Sequence, residues 1–196
     1  MSPALAPEVD LRRRRLLRWL AVGPAALSLG LRDTLARAGD GLREGLAAPR
    51  TLSLVSTHTG ERLSVRYFSA GRYVPDALER LYRLLRDHRT GDVSPIDPRL
   101  FDQLHALASC AGCAPRYEII SGYRSPATNA RLRAASSGVA RRSLHMEGRA
   151  IDVRLPGVDC ARLRDLALDM GAGGVGYYAK SDFVHLDTGR VRTWSG

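Results

Sequence analysis

Lysine is nearly missing from these 196 residues: Lys180 stands alone, and arginine supplies the rest of the 30 basic side chains. Cysteine is scarce, with three residues, and aromatic residues make up only 6% of the chain. The lone Cys110-Ala-Gly-Cys113 motif lacks the two further soft ligands a structural zinc would need, and it follows a helical pattern where a redox motif would open one. It reads as structural, with a local disulfide or one to Cys160 both open. The arginines are scattered and not interleaved with aromatics, which argues against a nucleic-acid groove. The apolar run Trp19–Leu31 falls short of the ~20 residues that span hydrocarbon. There is no internal repeat and no low-complexity tract.

What is present fits one domain with an extension. Hydrophobic residues make up 44% and charged residues 26%, a globular balance, with a formal net charge of +10. Part of that excess lies in residues 1–38, where seven arginines face Glu8, Asp10 and Asp33. This segment reads as an export signal: Arg12–Arg15 precede Leu16-Leu17-Arg18, the run Trp19–Leu31 follows, and Ala36-Arg37-Ala38 offers a small-x-small cleavage pattern. The paired arginines resemble a twin-arginine signal; a general export signal and an uncleaved anchor are the alternatives. Export to the periplasm follows, with the membrane met only in transit. A basic exported domain suits an anionic polymer such as cell wall. Residues 39–50 read as a linker and 51–196 as the folded domain, expected to be monomeric.

Alternation over Thr51–Ser56 and Arg62–Phe68, around His58-Thr59-Gly60-Glu61, predicts a β-hairpin. Helical spacing predicts helices over Pro75–His88, Pro98–Ala108, Pro126–Ala135 and Asp159–Met170. Short strands are expected at Tyr117–Ser121, Arg149–Leu155, Val175–Tyr178, Phe183–Asp187 and Val191–Trp194. His58 reads as a turn residue, and His88 and His105 as surface or capping residues. The order of elements predicts an α+β fold, with a central antiparallel sheet flanked by helices.

One constellation carries chemistry. In Ser143–Asp152, His145 and Asp152 flank a tight turn at Gly148, so an imidazole and a carboxylate can share a divalent cation. His185, in Phe183-Val-His-Leu-Asp187, is a third donor if the two strands are neighbours. Two histidines and one carboxylate with an open position form the ligand set of a catalytic zinc rather than a structural one. Alternation puts Phe183, His185 and Asp187 on one face, so Asp187 is expected to orient a ligand. Asp182, at the mouth of that strand, is the expected general base, with Asp187 as the substitute. Arg124, after a strand and a glycine, is placed to face a polarised carbonyl or a carboxylate.

The motif Ser143-x-His145-x-x-Gly148-x-Ala150-x-Asp152 resembles the signature of LAS-type zinc D,D-peptidases, and Ser121–Ser125 resembles the same superfamily's upstream S-G-Y-R-S. Leu85–Val93, Ile120–Asn129 and Gly173–Trp194 resemble the exported murein endopeptidase group that includes MepK. The resemblance spans about residues 50–196. It implies a Hedgehog/D,D-peptidase-like fold and a zinc peptidase acting on peptidoglycan cross-links. His145, Asp152 and His185 would be the metal ligands, and Arg124 and Ser143 substrate contacts. Arg192 and Trp194 belong to the same ending, as substrate contacts or as packing. The chain departs from the carboxypeptidase and VanX branches at Asp182, where those carry Glu or His. Two other readings are a carboxypeptidase trimming stem peptides and a non-catalytic peptidoglycan-binding domain that retains the fold.

Overall fold

The structure is a computed structural model that describes residues 48–136 and 139–196. The expected export signal (1–38) and most of the expected linker lie outside the described residues. Eight strands form one sheet: β1 (Arg50–Ser56), β2 (Arg62–Ser69), β3 (Arg72–Tyr73), β4 (Arg116–Ser121), β5 (Ala150–Arg154), β6 (Gly174–Tyr178), β7 (Phe183–Asp187) and β8 (Arg192–Ser195). Their spatial order is β3-β2-β1-β4-β5-β7-β6-β8. The helices are α1 (Pro75–Leu84), α2 (Pro98–Cys110), α3 (Pro126–Ala135) and α4 (Cys160–Met170). Among the described residues, no helix is long and apolar enough to cross a membrane.

The α+β expectation holds, but the sheet is mixed rather than antiparallel. β1 pairs with β4 in parallel, and so does β6 with β8, while the remaining pairs are antiparallel. The parallel pairs follow from the connections. The β1–β2–β3 meander leads into α1 and α2, and that helical crossover returns the chain to run alongside β1, which a hairpin cannot do.

Local signals set the element ends. Asp97, Ser125 and Asp159 are side-chain caps at the starts of α2, α3 and α4, each accepting a backbone N–H of the first turn. The first helix ends at Leu84, short of the expected His88. Beyond it the Leu85 carbonyl accepts Tyr123 N–H and the Asp87 carbonyl accepts Gly91 N–H, so the backbone is committed elsewhere. The core lies between the sheet and α1, α2 and α4, around Leu52, Leu54, Tyr67, Leu81, Leu100, Leu104, Ile151, Val153, Leu163, Val184 and Leu186. Period-2 alternation on β5 and β7 sends Ile151, Val153, Val184 and Leu186 into this core, which turns Asp152 and His185 to the opposite face.

The three cysteines are free: Cys110 is exposed, Cys113 half-buried and Cys160 buried at the start of α4. His58 and His88 stack on each other with ring centroids 3.9 Å apart, away from the histidines of the sheet.

Candidate metal centre

Strands β5 and β7 pair with Asp152 opposite His185, so the carboxylate and one imidazole project from adjacent positions on the same face. His145 comes from a 3₁₀ turn (Leu144–Glu147) that closes on Gly148. Gly148 has φ +64°, and a Cβ there would strike the Pro95 carbonyl, so only glycine lets the turn dock beneath the loop before α2. His145, Asp152 and His185 are all buried, and each offers a ligand atom within 4.8 Å of the others.

Hydrogen bonds behind the two rings set their tautomers. His145 Nδ1 lies 2.7 Å from the Gly122 carbonyl and donates to it, leaving Nε2 bare. His185 Nε2 lies 3.2 Å from Asp187 Oδ2, leaving Nδ1 bare. The bare atoms face each other at 3.2 Å, and both approach Asp152 Oδ1, at 3.3 Å from His145 and 2.8 Å from His185. Three lone pairs pointed at one spot repel unless a cation lies among them. Donors bound to one zinc at ~2.1 Å in tetrahedral array would be about 3.4 Å apart. The observed spacings fit a metal of that size.

Charge shifts express the same geometry. Burial opposes a charged His185, but Asp152 and Asp187 outweigh it and raise its pKa to about 9, so without a metal a proton shared by Nδ1 and Asp152 is the cation among these donors, and a metal must displace it. Burial likewise opposes a charged Asp152, and the two imidazoles overcome it and hold the carboxyl far below its ordinary range.

Asp187 is fully buried and completely engaged. Its Oδ1 accepts Gly174 N–H at 2.9 Å, Gly189 N–H at 2.8 Å and Arg192 at 3.0 Å, and its Oδ2 accepts Arg192 at 2.6 Å. It also meets His185 Nε2 through Oδ2 at 3.2 Å, and has no lone pair left for proton chemistry. Arg192 thus serves as the clamp on Asp187. Trp194 lies against His185, ring centroids 5.1 Å apart, and donates its indole N–H to the Tyr178 hydroxyl at 3.0 Å. Both residues cross β6 where it carries Gly174 and Gly176; a Cβ on Gly176 would sit 2.7 Å from the indole.

The trio opens on a cleft of about 470 Å³, lined by Arg124, Ser143, Tyr178, Phe183, Arg192 and Trp194 among others. Arg124 Nη2 stands 3.9 Å from Asp152 Oδ2, and burial pulls its pKa below the ordinary arginine value against the pull of Asp152. The loop that carries it is held by Asp87, whose Oδ2 accepts Ser125 N–H at 2.9 Å and whose Oδ1 accepts Arg89 N–H at 2.9 Å. Burial opposes the Asp87 charge, yet these bonds and those of Thr128 and Ser125 keep its carboxyl well below the ordinary range.

Asp182 is not brought to the cleft. It is 70% exposed, with its carboxylate 3.4 Å from Arg154 Nε and its carbonyl accepting from the same guanidinium. The residue has φ +51°, a left-handed step that takes it out of the alternation of β7 just before Phe183. The expected base is therefore placed outside the site by its backbone. Tyr178 was missed by sequence reasoning, although counting back two from its position reaches Gly176, opposite His185. Asp87 was missed because nothing local marks a buried carboxylate that serves a loop 37 residues away.

Two imidazoles and a carboxylate converging on a solvent-open cleft in an α+β domain are a donor set that metal-dependent enzymes use, metallopeptidases among them. Comparison with known proteins narrows this. A family profile described as peptidoglycan L,D-endopeptidase MepK matches residues 44–194. The peptidoglycan L,D-endopeptidase MepK of Escherichia coli (strain K12) is 42% identical over 185 residues, covering 94% of this chain and 98% of the relative. The probable peptidoglycan L,D-endopeptidase MepK of Haemophilus influenzae is 39% identical over 189 residues, with 96% and 98% covered. No solved structure matches. The chain belongs to this family of M15 peptidases.

Proposed function

We propose that this protein is a zinc-dependent endopeptidase that hydrolyses peptide cross-links of peptidoglycan. The observation that carries it is the convergence of three bare donor atoms, from His145, Asp152 and His185, on a water-accessible cleft. Two imidazoles and one carboxylate are borderline ligands that suit zinc, and three protein ligands leave a position for water. Bound there, zinc supplies Lewis acidity, polarising a carbonyl and lowering the pKa of a water to about 7.

The residues of the chain do the rest. His145 and His185 present fixed nitrogens because Gly122 and Asp187 hold their far sides. Arg124 faces the cleft beside Asp152 and holds the scissile carbonyl or a neighbouring carboxylate of the stem peptide. Ser143 lines the same wall as a substrate contact. Arg192 and Trp194 act chiefly from behind His185, although both also border the cleft. Asp182 would have to leave Arg154 and reverse its direction to reach the water, so it has no part in this reading as it stands.

The relatives are named as L,D-endopeptidases. A bond between two diaminopimelates joins an L to a D centre, whereas D-alanine to diaminopimelate is D,D. The names therefore favour the diaminopimelate pair as substrate. A Hedgehog/D,D-peptidase-like arrangement of 51–196 fits the mixed sheet with the site on the face opposite the core. The Arg12–Arg15 segment supports export, by the twin-arginine route, to a periplasmic location where a monomer would meet the wall.

Chromatography of defined cross-linked muropeptides before and after incubation with the zinc-loaded protein tests this directly. The expected result is conversion of L,D-linked dimers to monomers, with no conversion by His145→Ala. Dimers left intact by the wild type, with only stem peptides shortened, would favour the carboxypeptidase reading.

A further inference from the structure

The described residues lining the cleft include a single carboxylate, Asp152, and it belongs to the metal trio. Asp187 is sealed behind His185 and Asp182 points elsewhere. The other polar side chains lining the cleft are Arg124, Arg142, Arg192, Ser136, Ser143 and Tyr178, of which Arg192 is committed to Asp187.

Tyr178 is unlike the others in how its oxygen is held. It stands on β6 opposite Phe183, the cleft-lining residue two before His185 on β7. Its ring is stacked on Phe183, centroids 4.5 Å apart and planes 16° from parallel, so the phenol is held in one orientation. The oxygen accepts the indole N–H of Trp194 at 3.0 Å, and that indole lies against His185. One lone pair is thereby occupied, and among the described residues no acceptor takes the phenol's own O–H. A half-buried hydroxyl with a fixed acceptor bond and a free donor, on the wall shared with the metal trio, is a preorganised hydrogen-bond donor. Tyr178 also lies within electrostatic reach of Arg124, so the two border the same space.

We propose that the Tyr178 hydroxyl is a catalytic hydrogen-bond donor, directed at the scissile carbonyl oxygen as negative charge develops on it. No bond to Tyr178 forms or breaks: the O–H shortens its hydrogen bond as water adds to the carbonyl carbon, and relaxes when the C–N bond breaks and the leaving amine takes up the proton given up by that water. Such a donor acts mainly in the transition state, because the ground-state carbonyl carries little charge. Trp194 is then a positioning residue, through the N–H that fixes the phenol. This assignment rests on the peptidase reading above.

The test is Tyr178→Phe, which removes one oxygen and keeps the stack on Phe183. In the zinc-loaded full chain, kcat on an L,D-linked dimer is expected to fall by about 10²-fold with KM within about twofold, the scale of a lost oxyanion donor. Zinc content and melting midpoint should match the wild type. A phosphinate analogue of the scissile bond should lose affinity by the same factor as kcat/KM, while the product peptides bind unchanged. Trp194→Phe should lower kcat by a smaller factor. A crystal structure of the wild-type holoenzyme with the phosphinate should place the Tyr178 oxygen within about 3 Å of a phosphinyl oxygen, and this arm stands even if the variant misfolds. An unchanged kcat in Tyr178→Phe, a loss confined to KM, or a phenol more than about 4 Å from the phosphinate overturns the proposal. If the wild type itself cleaves no muropeptide, the peptidase reading fails instead, so the two failures are distinguishable.

Discussion

Asp102 and Asp152 are both ringed by polar side chains, the first on α2 against the β3-β2-β1 end of the sheet, the second on β5 near its middle. Asp102 accepts from Arg50 at 2.7 Å, from the Tyr67 hydroxyl at 3.0 Å and from the Tyr73 hydroxyl at 2.6 Å. Each partner brings its own proton, so the cluster is closed. Burial and the Asp102 charge push the Tyr73 phenol up to about 12, which keeps that proton in place. Around Asp152, the ring nitrogens at 2.8 and 3.3 Å have had their protons directed away by Gly122 and Asp187. The first cluster ties strand β1 and the β2–β3 hairpin to α2 and needs nothing more. The second has a donor set that could hold a cation. The difference lies in where the far-side hydrogen bonds send the protons, and burial does not explain it.

Breaking the second cluster should therefore cost chemistry, and breaking the first should cost stability. The largest effect is expected from His145→Ala: cleavage below detection and zinc content near zero by elemental analysis, with the fold retained by circular dichroism. Chelation of the wild type should do the same and lower the melting midpoint, because a ligand bound only to the native state stabilises it. Asp187→Asn should weaken zinc binding by about 10- to 100-fold in a competition titration, since it loosens the orientation of His185 without touching the metal. Asp102→Ala should lower unfolding free energy by about 2 kcal/mol in urea, with kcat and zinc affinity unchanged. The Tyr67 hydroxyl keeps its bond to the Phe101 carbonyl, which limits the damage.

Asp87 sharpens the contrast, being a closed carboxylate that serves the open site. Its folded pKa lies below the ordinary value of 3.8, so its contribution is present above that value and lost as pH falls below it. Asp87→Asn should flatten the decline in stability from about pH 5 downward, measured by urea unfolding across pH. It should also lower kcat/KM through the displaced Arg124 loop. The smallest effect is expected from Asp182→Asn, with turnover within about threefold of wild type, because an exposed ion pair such as that with Arg154 contributes little.

The convergence of His145, Asp152 and His185 was legible because its signals are local: a histidine and an aspartate about a glycine turn, and strand alternation that puts His185 and Asp187 on one face. The helices and all strands but the two-residue β3 were legible for the same reason, within a few residues at their ends. The parallel pairings were not, since β1 and β4 are brought together by two helices rather than by a turn between them. Asp182 misled because three residues before a ligand is a reasonable place for a base only if the backbone continues extended. Its left-handed φ breaks that assumption. Tyr178 gave no chemical signal in sequence; its significance comes from Trp194, which reaches it across a sheet edge.

That crossing gives Gly174 and Gly176 a meaning that their chemistry alone does not suggest. They bring no side-chain proton, charge or metal ligand, yet the space over them is where Arg192 and Trp194 lie on their way to Asp187, His185 and Tyr178. In a saturation mutagenesis screen scored on wall hydrolysis, both positions should tolerate substitution as poorly as the metal ligands do. Scored on folding alone, they should look far more permissive. Residues with nothing to contribute can be indispensable to a reaction when what they provide is room.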